Sequence, residues 1–286
     1  IRNCLVGSEM CIRDRASVKA IGRAGAGVNN IPIDKMSSRG VPVFNAPGAN
    51  ANAVKELTIA ALLISARNIC AARDYVNSID LDDVNLKSSI EKGKKQFAGI
   101  ELPGRTLGVI GLGSIGVNVA NAALALGMKV IGFDPKVTVT NAWKLSSGVE
   151  KVDDLDAIFK RSDAVTVHVP LVEQTKNLIN SECLNLLRKN SILINFSRGG
   201  VVNTTDVLTA LNENLLSSFV CDFPEPALIK HQKVIALPHL GASTMEAEQN
   251  CAVMVANNLI DYIENGNINY SVNFPTAVMN RVNGYR

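Results

Sequence analysis

A glycine-rich turn between two apolar segments constrains this chain more than any other feature. Gly111, Gly113 and Gly116 have the spacing GxGxxG and follow the apolar run 106–110, while residues 117–126 have helical character. A parallel βαβ unit that binds a dinucleotide needs each glycine for a separate reason. The first permits a tight turn, the second lets the backbone approach a pyrophosphate, and the third lets helix and strand pack closely. The helix N-terminus then presents unpaired N–H groups to the phosphates.

An acidic residue at the end of the next apolar run indicates which dinucleotide binds. Residues 129–133 predict a second strand, and Asp134 follows it directly. A carboxylate there can accept hydrogen bonds from both hydroxyls of the adenosine ribose, and it repels a 2′-phosphate. The sequence therefore predicts NAD rather than NADP as the cofactor. The alternative is a glycine turn with a purely structural role.

Apolar runs alternate with helical segments over most of the chain, which predicts an α/β fold. The predicted strands cover residues 18–22, 41–44, 106–110, 129–133, 164–169, 191–196, 217–222 and 234–237. The predicted helices cover residues 33–39, a long segment from a cap at Asn50 or Asn52 to about residue 76, residues 117–126 and residues 245–264. The later strands are nearly continuous apolar runs, as is typical of a parallel sheet with both faces covered. Residues after 266 predict a loop and tail with no obvious contribution to a core.

Composition excludes several classes of protein. A length of 286 residues is enough for two domains, and the formal net charge of +3 comes without a Lys/Arg cluster typical of a nucleic-acid-binding face. The longest apolar stretches, such as residues 57–66, are too short to span a bilayer. The six cysteines are far apart and lack CxxC spacing. They are typical of reduced thiols in the cytoplasm and indicate no metal site.

Only three histidines are available for proton transfer near neutral pH. His231 lies in the polar segment 230–233 and is interpreted as a solvated surface residue. His168 ends a predicted strand at the rim of the cofactor site, where we expect it to shape the adenine pocket. His239 follows an apolar run and precedes a helix, so we predict that it donates and accepts the proton. The alternative for His239 is a packed or capping histidine.

Charged residues at the ends of two other strands complete the candidate site. Arg198 follows the strand 191–196, and its planar guanidinium suits a carboxylate and an adjacent carbonyl oxygen. The alternative is an ordinary surface ion pair, although the glycines beside Arg198 let a ligand approach the backbone. Asp222 and Glu225 follow the next strand. A carboxylate bonded to His239 would fix its tautomer and favour the imidazolium, and the residues alone do not choose between these two acids.

Together, these features resemble the D-isomer-specific 2-hydroxyacid dehydrogenases, from about residue 16 to residue 275. The motifs that carry the resemblance are GRAGAGVNN (22–30), NAPGANANAVKEL (45–57), GLGSIG (111–116), VHVPL (167–171), NFSRGG (195–200), DFP (222–224) and PHLGAST (238–244). Their common order along the chain is far more specific than any one of them.

The resemblance implies a role for each residue of the site. Arg198 would grip the substrate carboxylate and 2-oxygen, His239 would be the acid and base, and Glu225 would be the carboxylate paired with it. The implied cofactor residues are Gly111, Gly113, Ser114, Ile115, Gly116, Asp134, His168, Val169, Pro170, Phe196, Ser197, Asp222 (near the nicotinamide), Gly241, Ala242 and Ala46. The implied substrate loop contains Arg23, Ala24 and Gly25. The segment from Asp222 to Glu225 is shorter than the family pattern, and Ser197 stands where alanine is commoner.

The resemblance also implies two Rossmann-like domains with the active site in the cleft between them. We expect an NAD-binding domain with a doubly wound parallel sheet at residues 100–244. We expect a flavodoxin-like substrate domain at residues 16–99, truncated at its N-terminus. Residues 245–265 would return to that domain, and residues 266–286 would lead to a regulatory domain. We interpret residues 1–15 as a non-native leader and the chain as a fragment truncated at both ends.

The implied activity is the NAD-dependent interconversion of D-2-hydroxy acids and 2-oxo acids. It would take place in the cytoplasm, in a homodimer or larger homo-oligomer, without a metal and without nucleic-acid or membrane partners. We favour oxidation of D-3-phosphoglycerate to 3-phosphohydroxypyruvate, the first step of serine biosynthesis. The alternatives are a glyoxylate or hydroxypyruvate reductase, another D-2-hydroxyacid dehydrogenase of the D-lactate type, an NAD-sensing binding protein, or an inactive fragment. The presence of Arg198 and His239 argues against the NAD sensor.

Overall fold

A computed structural model describes residues 17–28, 30–80 and 85–279 of the chain. These residues form two compact units. The smaller unit contains the described residues up to Asn52 and those from Ala242 onward, and the larger unit contains those of Ala53–Gly241. Residues 1–15, interpreted above as a non-native leader, lie outside the described residues.

Both units contain helices and strands. In chain order the strands are β1 (Ile21–Gly22), β2 (Val43–Phe44), β3 (Thr106–Ile110), β4 (Lys129–Phe133), β5 (Val149–Lys151), β6 (Ala164–Val167), β7 (Ser191–Asn195), β8 (Leu216–Cys221) and β9 (Val234–Ala236). The α-helices are α1 (Ile33–Ser38), α2 (Ala51–Ala66), α3 (Ile69–Ser78), α4 (Leu86–Gly93), α5 (Ser114–Ala125), α6 (Val139–Lys144), α7 (Leu155–Arg161), α8 (Ser181–Leu184), α9 (Thr204–Asn212) and α10 (Met245–Asn265). Short 3₁₀ turns cover Lys94–Phe97, Glu173–Thr175 and Gly199–Val201. Within the described ranges, none of these helices has the length and apolarity needed to cross a membrane.

The larger unit is built on a seven-stranded parallel sheet with the order β5-β4-β3-β6-β7-β8-β9. Every residue of β6 and β7 is buried, because apolar clusters cover both faces. Successive residues of β7 point to opposite faces: Leu193 belongs to one cluster, and Ile192 and Ile194 belong to the other. The predicted α/β fold with a doubly wound parallel sheet is therefore confirmed.

The direction in which the chain crosses this sheet reverses between β3 and β6. From β3 the chain proceeds to β4 and β5 on one side, and it then crosses to β6 and continues to β9 on the other. In open α/β sheets, ligands bind at the carboxyl ends of the strands where the order reverses. The loops that begin at Gly111 and His168 lie at this position.

One helix and one strand of the larger unit show why the structure departs from the sequence predictions. The helix predicted to continue to about residue 76 is divided into α2 and α3, because Asn68 has a left-handed φ of 52°. A helix interior excludes this conformation, and asparagine enters it more readily than most residues. The edge strand β5 was not predicted, because its Glu150 and Lys151 are exposed and interrupt any apolar run.

The two compact units are divided between Asn52 and Ala53, within α2, and the domain boundary expected near residue 99 stays a prediction. Leu62 and Ala66 of α2 belong to the same buried cluster as Leu107 and Val109 of β3. The helix therefore packs on the sheet of the larger unit. The assignment of substrate binding to residues 16–99 and of cofactor binding to residues 100–244 stays a prediction.

The smaller unit contains the two-stranded parallel sheet of β1 and β2. The segment after α10, predicted as a tail with no core role, is bound to this sheet through Asn273. The side-chain Oδ1 of Asn273 accepts a hydrogen bond from the Val43 N–H at 2.9 Å. Its Nδ2 donates to the carbonyl oxygen of Val41 at 3.0 Å and to Ser37 Oγ at 3.1 Å. The Val272 N–H also donates to the carbonyl oxygen of Val43 at 2.8 Å, so both a side chain and the backbone of the tail bind β2.

Candidate active site

The glycine turn after β3 has the geometry that its spacing predicts. Gly111 has a φ of 90°, which favours glycine, and a Cβ there would lie 2.6 Å from the carbonyl oxygen of His168. A Cβ on Gly116 would overlap the carbonyl oxygen of Gly111, so a glycine is needed for α5 to lie this close to the turn. A Cβ on Gly113 would meet no heavy atom of the described part of the chain within 4 Å. The turn is therefore open at Gly113, where a ligand can approach the backbone.

Helix α5 provides a positive terminus at the same turn. The helix has 12 residues and begins at Ser114, and no side chain caps its first N–H groups. Aligned peptide dipoles give a helix N-terminus a partial positive charge. The N–H groups of Ser114 and Ile115 belong to this first turn and can serve phosphate oxygens.

Asp134, at the end of β4, is fixed to the glycine turn by hydrogen bonds. Its Oδ2 accepts from the Leu112 N–H at 2.8 Å, and its Oδ1 accepts from the Lys136 N–H at 2.8 Å. Each carboxylate oxygen can accept a further hydrogen bond, so the oriented group can still bind hydroxyls. The open turn at Gly113 and the N-terminus of α5 fit the pyrophosphate of a dinucleotide, and Asp134 fits its ribose.

The loop after β6 lies beside the glycine turn. Val169 Cγ1 is 2.9 Å from the position that a Cβ on Gly111 would occupy, and Pro170 is exposed. His168 Nε2 lies 3.0 Å from Thr166 Oγ1. Burial lowers the pKa of His168 to about 3, so its imidazole is neutral at neutral pH. An imidazole with a pKa this far below neutral is a poor proton acceptor at neutral pH, so His168 is better suited to lining a pocket than to proton transfer.

The loop after β7 carries Arg198, and the buried side chain of Asn195 organises this loop. Asn195 Nδ2 donates to the carbonyl oxygen of Arg198 at 2.9 Å. Asn195 Oδ1 accepts from the Ser197 N–H at 3.0 Å and from Ser197 Oγ at 2.6 Å. Arg198 Nη1 donates to the carbonyl oxygen of Ser197 at 2.7 Å. Phe196, the residue before Ser197, is buried.

One aromatic ring contacts both of the predicted catalytic side chains. The Cζ atom of Arg198 lies 5.5 Å from the centroid of the Phe223 ring. The centroid of the His239 imidazole lies 4.3 Å from the same centroid, with an interplanar angle of 46°. The larger unit therefore brings Arg198 and His239, which are distant in sequence, into contact with the same side chain.

Asp222 is the acidic residue buried beside His239. The backbone N–H of His239 donates to the carbonyl oxygen of Asp222 at 3.0 Å. Asp222 is only 2% exposed, and its Oδ2 accepts from the Gly241 N–H at 3.1 Å. Among the described residues, its Oδ1 has no hydrogen-bond partner. Burial raises the pKa of Asp222, while the Gly241 N–H and the positive charges of His239 and Arg198 partly oppose this rise.

The two candidate carboxylates thus differ in their surroundings. Asp222 is buried and interacts electrostatically with His239. Glu225 is exposed, and its backbone carbonyl accepts from the Leu228 N–H at 2.9 Å. The implied pairing of Glu225 with His239 stays a prediction.

The other predicted site residues lie in the smaller unit. The Ala46 N–H donates to the carbonyl oxygen of Gly25 at 3.0 Å, and the Arg23 N–H donates to that of Phe44 at 2.9 Å. Arg23 and Gly25 flank Ala24, so the implied substrate loop is tied to the end of β2 through its backbone. Ala46 is fully buried. The carbonyl of Ala242 accepts from the Thr244 N–H at 3.0 Å, one residue before α10. The ligand contacts implied for these residues stay predictions.

Sequence reasoning did not select Asn195 and Phe223, whose side chains contact the residues of the candidate site. A signal for Asn195 exists, because a polar residue ends an otherwise apolar strand directly before the arginine loop. Phe223 has no such signal, since its partners come from two other loops. His231 was interpreted as a solvated residue, and its Nδ1 accepts from the Lys233 N–H at 3.2 Å within its own loop.

Comparison with known proteins identifies the family. Residues 59–241 match the sequence model of "D-isomer specific 2-hydroxyacid dehydrogenase, NAD binding domain". This match covers more than half of the chain and nearly all of the larger unit. The chain belongs to the D-isomer-specific 2-hydroxyacid dehydrogenase family. The resemblance drawn from the motifs is therefore confirmed, as is NAD as the cofactor of the matched domain.

Individual members of this dehydrogenase family show the extent of the similarity. A D-3-phosphoglycerate dehydrogenase of Methanocaldococcus jannaschii is 40% identical over 251 residues, which cover 86% of this chain and 45% of that protein. A hydroxypyruvate reductase of Thermotoga maritima is 38% identical over 250 residues, covering 83% of this chain and 75% of that protein.

A solved structure supports the same relationship. The NAD+-bound 3-phosphoglycerate dehydrogenase of Entamoeba histolytica has a TM-score of 0.73 and 27% identity, covering 92% of this chain and 78% of that one. The chain spans about half the length of the D-3-phosphoglycerate dehydrogenases that it matches.

Proposed function

We propose that this chain is the dehydrogenase portion of an enzyme that interconverts D-2-hydroxy acids and 2-oxo acids with NAD. The proposed reaction is the oxidation of D-3-phosphoglycerate to 3-phosphohydroxypyruvate, which begins serine biosynthesis. The observation that carries the proposal is the meeting of Arg198 and His239 at the Phe223 ring, in the unit that also contains the glycine turn. The identity to D-3-phosphoglycerate dehydrogenases supports the choice of substrate.

The residues that would hold NAD follow from the geometry of the larger unit. Gly113 and the first N–H groups of α5 would bind the pyrophosphate, and Asp134 would bind the adenosine ribose. The buried Oδ1 of Asp222, which has no hydrogen-bond partner among the described residues, offers an acceptor for the nicotinamide end. NAD, when bound, supplies the hydride acceptor. The carboxylate of Asp134 would repel the 2′-phosphate of NADP.

The other roles in the proposed reaction, proton transfer and substrate binding, are assigned to separate residues of the site. Neutral His239 would accept the proton of the substrate 2-hydroxyl, and imidazolium would return it in the reverse reaction. Arg198 would bind the substrate carboxylate through two N–H groups, and its charge would stabilise negative charge that develops on the 2-oxygen. We propose Glu225 as the carboxylate that orients His239, with the buried Asp222 as the alternative for this role.

A second candidate function is the reduction of hydroxypyruvate or glyoxylate. The observation that favours it is coverage: the chain covers 75% of the T. maritima hydroxypyruvate reductase but 45% of the M. jannaschii D-3-phosphoglycerate dehydrogenase. Both reactions use the same arginine and histidine chemistry. They differ in whether the substrate carries a phosphate.

The test is NADH oxidation by the purified chain with 3-phosphohydroxypyruvate, hydroxypyruvate, glyoxylate and pyruvate. We expect the highest kcat/KM with 3-phosphohydroxypyruvate, and a higher value with hydroxypyruvate would favour the reductase. His239→Ala should lower kcat by about 10²- to 10⁴-fold, the range for loss of a general acid or base, and leave the Kd of NADH unchanged. NADH binding without turnover of any of the four compounds would refute the enzymatic proposal.

We further propose that the protein works in the cytoplasm as a homodimer or larger homo-oligomer. The free thiols of Cys70, Cys183, Cys221 and Cys251 support a reducing compartment. Ile69 and Val76 of α3 are each 47% exposed, which supports a partner surface on this helix. Sedimentation equilibrium tests the assembly, and a monomer mass at all micromolar concentrations would contradict it.

A further inference from the structure

Phe223 contacts both of the side chains to which the proposed reaction assigns chemistry, Arg198 and His239. We propose that Phe223 is a positioning residue: its ring holds the Arg198 guanidinium and the His239 imidazole so that both face one substrate molecule. This inference rests on the proposed function. It adds a requirement that neither the arginine nor the histidine reveals by itself, namely an aromatic ring of fixed position in contact with both.

The contact with Arg198 is of a kind that orients a flexible side chain. The guanidinium carbon lies 5.5 Å from the ring centroid, within the distance at which an aromatic face attracts a cation. Arginine has several rotatable bonds, so such a contact limits the positions that its charged end samples. The internal hydrogen bond from Arg198 Nη1 to the Ser197 carbonyl fixes only one of its terminal nitrogens.

The contact with His239 is a tilted pair of rings. The two ring centroids are 4.3 Å apart and the planes are tilted by 46°, an arrangement within the range of favourable aromatic pairs. His239 has a φ of 50°, which non-glycine residues seldom adopt. The chain therefore maintains an unfavourable backbone conformation at the residue whose imidazole lies against Phe223.

The backbone of Phe223 is itself well restrained. Asp222 precedes it and is joined to the His239 loop by two hydrogen bonds, from the N–H groups of His239 and Gly241. Pro224 follows it, and a residue before proline is confined largely to extended conformations. A Cβ on Gly199 would lie 3.4 Å from the Phe223 Cβ, so the arginine loop also packs closely on it. The backbone that carries the Phe223 ring is thus held in place and contacts both the Arg198 loop and the His239 loop.

The test compares two substitutions of similar size. Phe223→Tyr keeps the ring, while Phe223→Leu fills much of the same space without one. Trp143→Leu is the matched control, because it removes an aromatic ring that is 85% exposed and outside the site. For each variant, kcat and KM for the 2-oxo acid, Tm, the Kd of NADH, and the Kd of oxamate in the presence of NADH are measured. Oxamate serves as an unreactive carboxylate probe.

We expect Phe223→Leu to lower kcat/KM by about 10- to 100-fold, the scale of a misplaced reactive group, and to raise the Kd of oxamate. Its Tm and NADH Kd should match those of the Trp143→Leu control, and Phe223→Tyr should restore both kcat/KM and oxamate binding. If leucine performs as well as tyrosine, the ring acts only as packing and the inference is overturned.

A readout independent of turnover separates this inference from the proposed function. The chain has three histidines, so the imidazole NMR signals of His239 can be assigned with a His231→Gln variant and the variant of His239 itself. The ring current of Phe223 should displace the His239 signals in the wild type and in Phe223→Tyr, and this displacement should disappear in Phe223→Leu. Displaced signals and ring-dependent oxamate binding in a protein without turnover would refute the reaction but retain the positioning role. Unchanged His239 signals in Phe223→Leu would overturn the positioning role even in an active enzyme.

Discussion

At the scale of single residues, the loop that carries Arg198 depends on one buried amide. Asn195 satisfies the Ser197 N–H, the Ser197 hydroxyl and the Arg198 carbonyl, at distances from 2.6 to 3.0 Å. No other residue type offers a donor and an acceptor in this arrangement from a side chain of the same length. The position of the arginine backbone is therefore coupled to the end of β7.

Replacement of this amide should affect both stability and substrate binding. Asn195→Ala leaves the Ser197 N–H and the Arg198 carbonyl without their partner, and an unsatisfied buried polar group costs about 1–3 kcal/mol. We expect a decrease of this size in the free energy of unfolding, measured by urea denaturation. We also expect a higher KM for the 2-oxo acid, because the Arg198 loop is no longer fixed.

Ser197→Ala is the matched control for this prediction. It removes one hydroxyl bond to Asn195 and leaves both backbone bonds in place, so stability should fall by about 0.5–1.5 kcal/mol. The KM for the 2-oxo acid should remain close to that of the wild type. A KM that rises equally in both variants would show that the hydroxyl, rather than the amide, positions Arg198.

The candidate site illustrates what a sequence can specify at this scale. His239 and Arg198 could be selected because a strand end is a common position for functional residues and because few alternatives existed. Phe223 could not be selected, since its importance arises from two contacts made only after three loops assemble. The choice between Asp222 and Glu225 was open for the same reason: burial of Asp222 depends on the Gly241 loop.

At the scale of elements, one glycine of the turn before α5 is needed for packing, and another leaves space for a ligand. A Cβ on Gly116 would overlap the backbone of Gly111, whereas a Cβ on Gly113 would meet nothing within 4 Å. Gly113 has a φ of −70° and extended ψ, which alanine adopts without strain. Two glycines of one motif therefore serve different purposes.

Alanine substitutions should reveal this separation. Gly116→Ala should lower the free energy of unfolding by roughly 1–3 kcal/mol, the range for overpacking, because backbone must move to admit the methyl group. Gly113→Ala should leave stability unchanged and weaken NADH at least about tenfold, or 1.4 kcal/mol, because the methyl group enters the space of the pyrophosphate. Urea denaturation and NADH fluorescence measure the two effects. Equal NADH affinity of Gly113→Ala and the wild type would contradict a pyrophosphate at this turn.

Elements of the sheet were more predictable than the helices around it. The bounds of β3 and β4 match the predicted runs, because both faces of a central parallel strand are buried and the residues after the first, Thr106 or Lys129, are apolar or glycine. The break at Asn68 could not be predicted from periodicity, since the apolar residues of α2 and α3 continue the same helical pattern. The exposed β5 is stabilised by pairing with β4 rather than by its own composition.

At the scale of the whole molecule, the two compact units differ in how the chain forms them. The larger unit uses one continuous segment, Ala53–Gly241, whereas the smaller unit combines segments from both ends of the chain. The larger unit also contains buried clusters on both faces of its sheet.

A continuous segment with a complete core should fold without the rest of the chain. We predict that a protein of residues 51–241, which keeps α2 intact, unfolds cooperatively in urea and binds NADH, because the glycine turn, α5 and Asp134 all lie within it. It should not reduce 2-oxo acids at the wild-type rate, because Arg23, Ala24 and Gly25, the implied substrate loop, are absent. Gly113→Ala in the shorter protein is the control and must weaken NADH as it does in the full chain. A gradual unfolding transition, or NADH affinity that is insensitive to this substitution, would show that the larger unit depends on the smaller one for its structure.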